Sequence, residues 1–207
     1  MGNFKTDQES FWAGEFGNGY IDRNISAGLL SSNRAFFSRV INRLRRLESV
    51  LELGANVGMN LRALRDLLPD GDLAGVEINQ SAAEELAKLP GVEVYHDSII
   101  GFESVKAYDL VFTKGVLIHI NPDELSHVYD LMYKTSRRYL MVAEYYNSTP
   151  VEIPYRGHSG KLFKRDFAGE ILDRFSDLEL VDYGFVYHRD LYFPQDDITW
   201  FLMEKMG

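Results

Sequence analysis

The chain has no cysteine, which excludes disulfides, thiolate-ligated zinc and a thiol nucleophile. Long apolar runs are also missing. None approaches the ~20 residues that a membrane-spanning helix needs, and the first residues show no basic stretch followed by an apolar one. A cytoplasmic protein is expected. Positive charge is in short supply: 22 Lys and Arg stand against 31 Asp and Glu, a net charge of −9, so the broad cationic face that nucleic acid requires is missing. Carboxylates are plentiful, yet no His, Asp or Glu spacing marks a metal site, and no metal is expected. No repeat, linker or low-complexity tract divides the chain. What is present suits one domain over residues 1–207: 45% of the residues are hydrophobic, enough for a sizeable core.

The most informative stretch runs from Ser49 to Leu61. The apolar Ser49-Val50-Leu51-Glu52-Leu53 breaks into Gly54-Ala55-Asn56-Val57-Gly58, and Leu61, Leu64, Leu67 and Leu68 then recur at helical spacing until Pro69-Asp70-Gly71. This reads as strand, turn, helix. Such a turn lets backbone approach a ligand closely and offers it the unpaired N–H groups of a helix N-terminus. The next strand, Leu73 to Ile78, carries Glu77 near its carboxyl end, 23 residues after Gly54, where an acid meets the two hydroxyls of a ribose.

Dinucleotide enzymes share that layout, but this turn departs from theirs. It lacks G-x-G-x-x-G; Asn56 replaces the middle glycine and Met59 occupies room that a pyrophosphate needs. Glu52 would repel a diphosphate and suits a ligand with positive charge.

Further along, Ser81 and Glu84 fit a capping box, and Val92 to His96 reads as a third strand followed by Asp97-Ser98-Ile99. Tyr108 to Thr113 is a fourth strand, with Lys114 to Ile120 as its loop. Asn121-Pro122 then opens a helix, and Arg138 to Ala143 is a fifth strand ending in Glu144-Tyr145-Tyr146. Ser32 to Leu47 has a helical pattern whose arginines read as a solvated face. Residues 145–166 form a long loop, 167–175 a helix, and 178–187 and 198–204 the last strands. Regular alternation of strands and helices predicts a mainly parallel sheet with ligands beyond its carboxyl ends.

Residues 1–31 are rich in aromatics (Phe4, Phe11, Trp12, Phe16, Tyr20) interleaved with glycines, too aromatic for a disordered tail. They read as a lid packed on the domain edge, with Trp12, Tyr20 and Arg23 in position to close over a ligand. A base is needed if a hydroxyl or ammonium is to react. His119 is the first candidate, although its apolar setting also suits a structural histidine; His158 on the long loop is the second, and Glu144 beside Tyr145 and Tyr146 the third. Tyr155, Arg156, Lys161 and Lys164 could hold an acidic group.

The run Glu52-Leu53-Gly54-x-Asn56-x-Gly58, continued through Glu77, Asp97-Ser98-Ile99 and Asp109 to His119, resembles class I S-adenosylmethionine-dependent methyltransferases. Phe11-Trp12-Ala13-Gly14-Glu15-Phe16-Gly17, Tyr20-Ile21-Asp22-Arg23-Asn24, Tyr155-Arg156-Gly157 and Lys161-Leu162-Phe163-Lys164-Arg165-Asp166-Phe167 look like methylases associated with pseudaminic acid biosynthesis. The resemblance implies a doubly wound, Rossmann-like α/β domain with a mainly parallel seven-stranded sheet and an antiparallel edge strand. Residues 1–48 would be lid and first helix, 49–144 the cofactor-binding core, 145–166 a substrate loop and 167–207 the C-terminal helix and edge strands. It implies S-adenosylmethionine held by Glu52, Gly54, Asn56, Gly58, Glu77, Ile78, Asp97, Ser98, Ile99, Lys114, Tyr20 and Arg23. Asp97 would meet the adenine amino group. The substrate would be a small, polar, acidic sugar-type metabolite methylated on oxygen or nitrogen, near Trp12, Tyr145, Tyr146, Tyr155, Arg156, Lys161 and Lys164. Methylation of a peptide side chain, or a cofactor fold without activity, are the alternatives; nothing in the residues speaks to oligomeric state.

Overall fold

Strand β1 (Ser49–Leu53) is buried along its whole length, as a strand covered on both faces must be. In the computed structural model, which describes residues 4–21 and 26–206, it lies mid-sheet. Strands β2 (Asp72–Glu77), β3 (Val92–His96), β4 (Tyr108–Lys114) and β5 (Ser136–Glu144) run parallel to it. Strands β6 (Val151–Glu152) and β7 (Phe163–Lys164) pair only with each other, inside the long loop. With β8 (Leu178–Val186) and β9 (Ile198–Lys205) the main sheet has seven strands in the order β3-β2-β1-β4-β5-β9-β8. Strand β9 is antiparallel to both neighbours and β8 forms the edge. The order reverses between β1 and β4, the switch point at which open parallel sheets leave a crevice.

Among the described residues seven α-helices accompany the sheet: α1 (Asp7–Ala13), α2 (Glu15–Tyr20), α3 (Ala27–Ile41), α4 (Met59–Leu67), α5 (Gln80–Leu86), α6 (Leu125–Thr135) and α7 (Phe167–Arg174). On one face Phe36, Phe37, Leu61, Leu64 and Leu86 pack against Leu110, Phe112 and Trp200; on the other Val128, Met132, Phe167 and Ile171 pack against Val111, Leu140 and Met203. Among the described residues no helix is long and apolar enough to cross a membrane.

Three local expectations need correction. Helix α3 begins five residues before Ser32 because Ser26 caps it, its Oγ accepting from Leu29 N at 3.0 Å. It stops at Ile41, where Arg43 N and Leu44 N turn back to the Val40 and Ile41 carbonyls; Leu47 keeps the apolar rhythm from the turn beyond. Helix α5 is capped by Asn79 rather than Ser81, Asn79 Oδ1 accepting from Ala82 N at 3.0 Å.

That asparagine also ties the N-terminal helices to the sheet. Its Nδ2 donates to Trp12 O (3.2 Å) and Asn18 Oδ1 (2.8 Å). Gly17 permits the approach: a Cβ there would lie 1.8 Å from Trp12 O. Asn79→Ala removes the cap and the tether, so stability is expected to fall by about 1–2 kcal/mol. Urea denaturation measures the loss, and limited proteolysis should cut the α1–α2 segment faster in the variant.

Candidate active site

The turn after β1 is held by hydrogen bonds from below. Gly54 N and Ala55 N both donate to Val76 O (2.8 and 2.9 Å). Three of its five residues have left-handed backbone: Gly54 (φ 76°), Asn56 (φ 48°) and Gly58 (φ 77°). Side chains are barred at both glycines, since a Cβ on Gly54 would strike Val116 at 2.6 Å and one on Gly58 would strike Leu86 at 2.4 Å. Asparagine accepts the third position because its short amide bonds locally, here from Val57 N to Oδ1 at 2.7 Å. Asn56 N donates to Glu77 Oε2, and Asn79 N to Glu77 Oε1, each at 2.7 Å. Burial pushes the Glu77 carboxyl up, and the N–H groups of Asn79, Asn56 and Ile78 pull it back.

Behind the turn, Glu52 Oε1 accepts from Asn60 Nδ2 at 2.6 Å. The acceptors Glu52 Oε2, Asn60 Oδ1 and Asn33 Oδ1 are buried and have no hydrogen-bond partner. Burial pushes Glu52 up to about 8, opposed by Asn60 and by the nearby Lys114, and burial in turn holds Lys114 low. Three unmatched acceptors beside an ammonium group suit a zwitterion, whose cation meets the oxygens and whose anion meets Lys114.

The opposite wall carries His119, at the end of a short helical turn (Leu117–His119). Glu144, buried, accepts from Val116 N at 3.0 and 3.1 Å and from Leu117 N at 3.1 Å. His119 Nδ1 lies 2.6 Å from Lys161 O; a carbonyl only accepts, so Nδ1 carries the proton. Burial holds the ring down at about 4. At neutral pH Nε2 is therefore a bare acceptor.

Residues of α1 and α2 line the cleft. Glu9 accepts from Thr6 N at 2.8 Å and from the Ser98 hydroxyl. Trp12 lies 4.5 Å from the His119 ring and 5.3 Å from Tyr20, and its Nε1 is buried without a partner. Tyr20 is hydrogen-bonded to Tyr155, and burial raises its pKa.

One cavity of about 240 Å³ gathers most of the residues singled out in the sequence: Trp12, Tyr20, Glu52, Gly54, Asn56, Glu77, Ile78, Ser98, Ile99, Lys114, His119, Tyr145 and Tyr155. Gly58 shapes the turn from beneath. Others lie elsewhere. Asp97 is exposed and accepts from Ser98 N at 2.7 Å; the acid that reaches this corner is Glu9. Tyr146 is exposed beside Phe201. His158 is exposed against Phe11 and Phe16, on the outside of the lid. Glu144 is committed to backbone N–H groups. Lys161 Nζ donates to Asp7 O at 3.1 Å, Arg165 pairs with Glu170 at 2.7 Å, and Lys164 and Arg156 stand over the rings of Tyr145 and Tyr155, so the loop cations make no anion site within the cavity. Arg23 lies outside the described residues. Glu9, Asn33, Asn60 and Asp196 line the cavity unforeseen; only Asn60, two residues past Gly58 in the first turn of α4, had a local signal. Among the described residues no group of three or more His, Asp or Glu side chains could hold a metal ion.

No protein-family profile and no curated protein sequence matches the chain. Solved structures do resemble it. Magnesium protoporphyrin IX methyltransferase from Synechocystis, with bound SAH, superposes with a TM-score of 0.68 at 13% identity, covering 96% of this chain and 100% of that one. The plantazolicin methyltransferase in complex with SAH gives 0.66 at 14% identity over 97% and 94%. A sugar N-methyltransferase from a Streptoalloteichus species gives 0.65 at 14% identity over 94% of each chain. At such identities the likeness establishes the fold, a Rossmann-like α/β sheet.

Glu52 also makes stability depend on pH. The folded protein retains this proton up to about pH 8, whereas the unfolded chain releases it near its ordinary 4.5, so the unfolded state binds fewer protons in between and stability falls as pH rises through that window. Glu144, pushed up to about 7 by burial, acts in the same direction. The slope from Glu52 approaches about 1.4 kcal/mol per pH unit. Urea midpoints between about pH 5 and 8 should decline for the free protein and decline less steeply for Glu52→Gln.

Proposed function

We propose that the chain is an S-adenosylmethionine-dependent methyltransferase acting on oxygen or nitrogen of a small polar, sugar-type metabolite. The observation that carries the reading is the set of unpartnered acceptors Glu52 Oε2, Asn60 Oδ1 and Asn33 Oδ1 beside Lys114. They fit the α-ammonium and α-carboxylate of the cofactor's methionine part. Glu77 and Ile78, at the end of β2, border the space for its ribose and adenine, and Ile99 offers an apolar face to the ring. When bound, S-adenosylmethionine supplies a methyl group made electrophilic by its sulfonium.

The residues of the chain then orient, shelter and handle a proton. Lid residues Trp12 and Tyr20 keep water from the cleft. His119 Nε2 accepts the hydrogen bond of the nucleophile's O–H or N–H, and Lys161 O fixes the ring in that tautomer. Glu144 fixes the turn that presents His119. On this reading residues 1–48 serve as lid and first helix, 49–144 as cofactor-binding core, 145–166 as substrate loop and 167–207 as the closing strands. The sugar assignment follows the resemblance to methylases of pseudaminic acid biosynthesis and, among the similar structures, the sugar N-methyltransferase. An acidic group on that sugar would have to meet Arg156 or Lys164 at the rim. A cytoplasmic location accompanies the reading.

Calorimetry with S-adenosylmethionine is the test: heat and a thermal shift are expected, and their absence would falsify the proposal. Glu77→Ala should abolish binding, because the glycine turn and the lid both lose their strap. His119→Ala should leave binding within about threefold and lower turnover by roughly 10²–10⁴-fold; an unchanged kcat would remove His119 from the mechanism.

A further inference from the structure

The cleft is charged unequally. Among the described residues its lining carries four acidic side chains, Glu9, Glu52, Glu77 and Asp196, and one ammonium, Lys114; with the Glu52 proton retained at neutral pH, three carboxylates face that cation. Burial disfavours that cation, and the nearby acids Glu52, Asp196 and Glu144 oppose the effect. Asp196, exposed, lines the same cavity as Trp12, Tyr145 and Tyr155, and its charge acts on Tyr145, Lys114 and Arg156. Two of these rings already attract cations from outside: Lys164 Nζ stands 5.2 Å from the centre of Tyr145, and the Arg156 guanidinium 5.6 Å from that of Tyr155.

We propose, resting on the methyltransferase reading, that the methyl acceptor is an amine nitrogen of a sugar-sized substrate, received against Trp12, Tyr145 and Tyr155 with Asp196 in the same cavity. The amine reacts as its free base. Its lone pair forms the new N–C bond, the bond between methyl and sulfur breaks with its electron pair left on sulfur, and nitrogen keeps both hydrogens. One unit of positive charge thus passes from sulfur to nitrogen, into surroundings of ring faces and a carboxylate that favour it. His119 Nε2 accepts a hydrogen bond from one N–H and aims the lone pair, and it need not become charged. A carboxylate on the substrate would have to lie away from Asp196, toward Arg156 or Lys164 at the rim.

Tryptophan fluorescence reports on the site, since the chain has two tryptophans and Trp200 is fully buried in the core, away from the cleft. Protein saturated with SAH is titrated with tetramethylammonium, methylammonium and acetate at constant ionic strength, and SAH binding itself is measured first by calorimetry. Both ammonium probes should quench Trp12 at concentrations where acetate has no effect. Asp196→Asn, an exposed change that spares the fold, should weaken their apparent affinity by about fivefold, and Tyr155→Leu should weaken it further while SAH affinity is retained. Acetate binding as tightly as the amines, or no response to either ammonium probe with SAH bound, overturns the amine assignment alone. Failure to bind SAH removes the methyltransferase reading with it.

Discussion

The Glu77 carboxylate is the interaction on which the site depends. One oxygen takes the N–H of Asn56, the left-handed residue of the turn that is not glycine, and the other takes the N–H of Asn79. Asn79 in turn caps α5 and holds the backbone of Trp12 and the side chain of Asn18. A single buried acid thereby couples the turn after β1, the start of α5 and the lid. Its burial is unfavourable, and the N–H donors at both oxygens are what make it tolerable.

Strands β1, β2 and β5 each carry a buried glutamate at or one residue before the carboxyl end, and hydrogen bonding separates their roles. Glu144 is surrounded by the N–H groups of the turn before His119, so its place is structural. Glu77 is structural on two sides while still bordering the cleft. Glu52 alone has an oxygen with no partner, and a buried acceptor left in that state is costly unless a ligand completes it. Residue type does not distinguish these three; partners do.

The cations of the long loop show the same principle. In sequence Lys161, Lys164, Arg165 and Arg156 make a local positive cluster. Folding disperses it: Lys161 binds the first turn of α1, Arg165 pairs with Glu170, and the other two settle over tyrosines. An anion-binding reading built on proximity along the chain therefore does not survive in the cavity, where carboxylates outnumber cations.

The sequence by itself determined the strand order of events along the chain, the glycine turn, the acid at the end of β2 and the aromatic lid. Each of these is written in local chemistry: apolar periodicity, positions only glycine or asparagine can occupy, a run too aromatic to stay in water. Even Asn56 could be read this way. Tertiary structure alone decided which polar groups face the cleft. Asn33 arrives from α3, Glu9 from α1 and Asp196 from the segment before β9, all distant in sequence from the turn they approach, and nothing local marks them. Asp97, His158 and Tyr146 carry the right chemistry, yet a side chain's direction depends on what packs beside it, and in the folded chain all three are exposed.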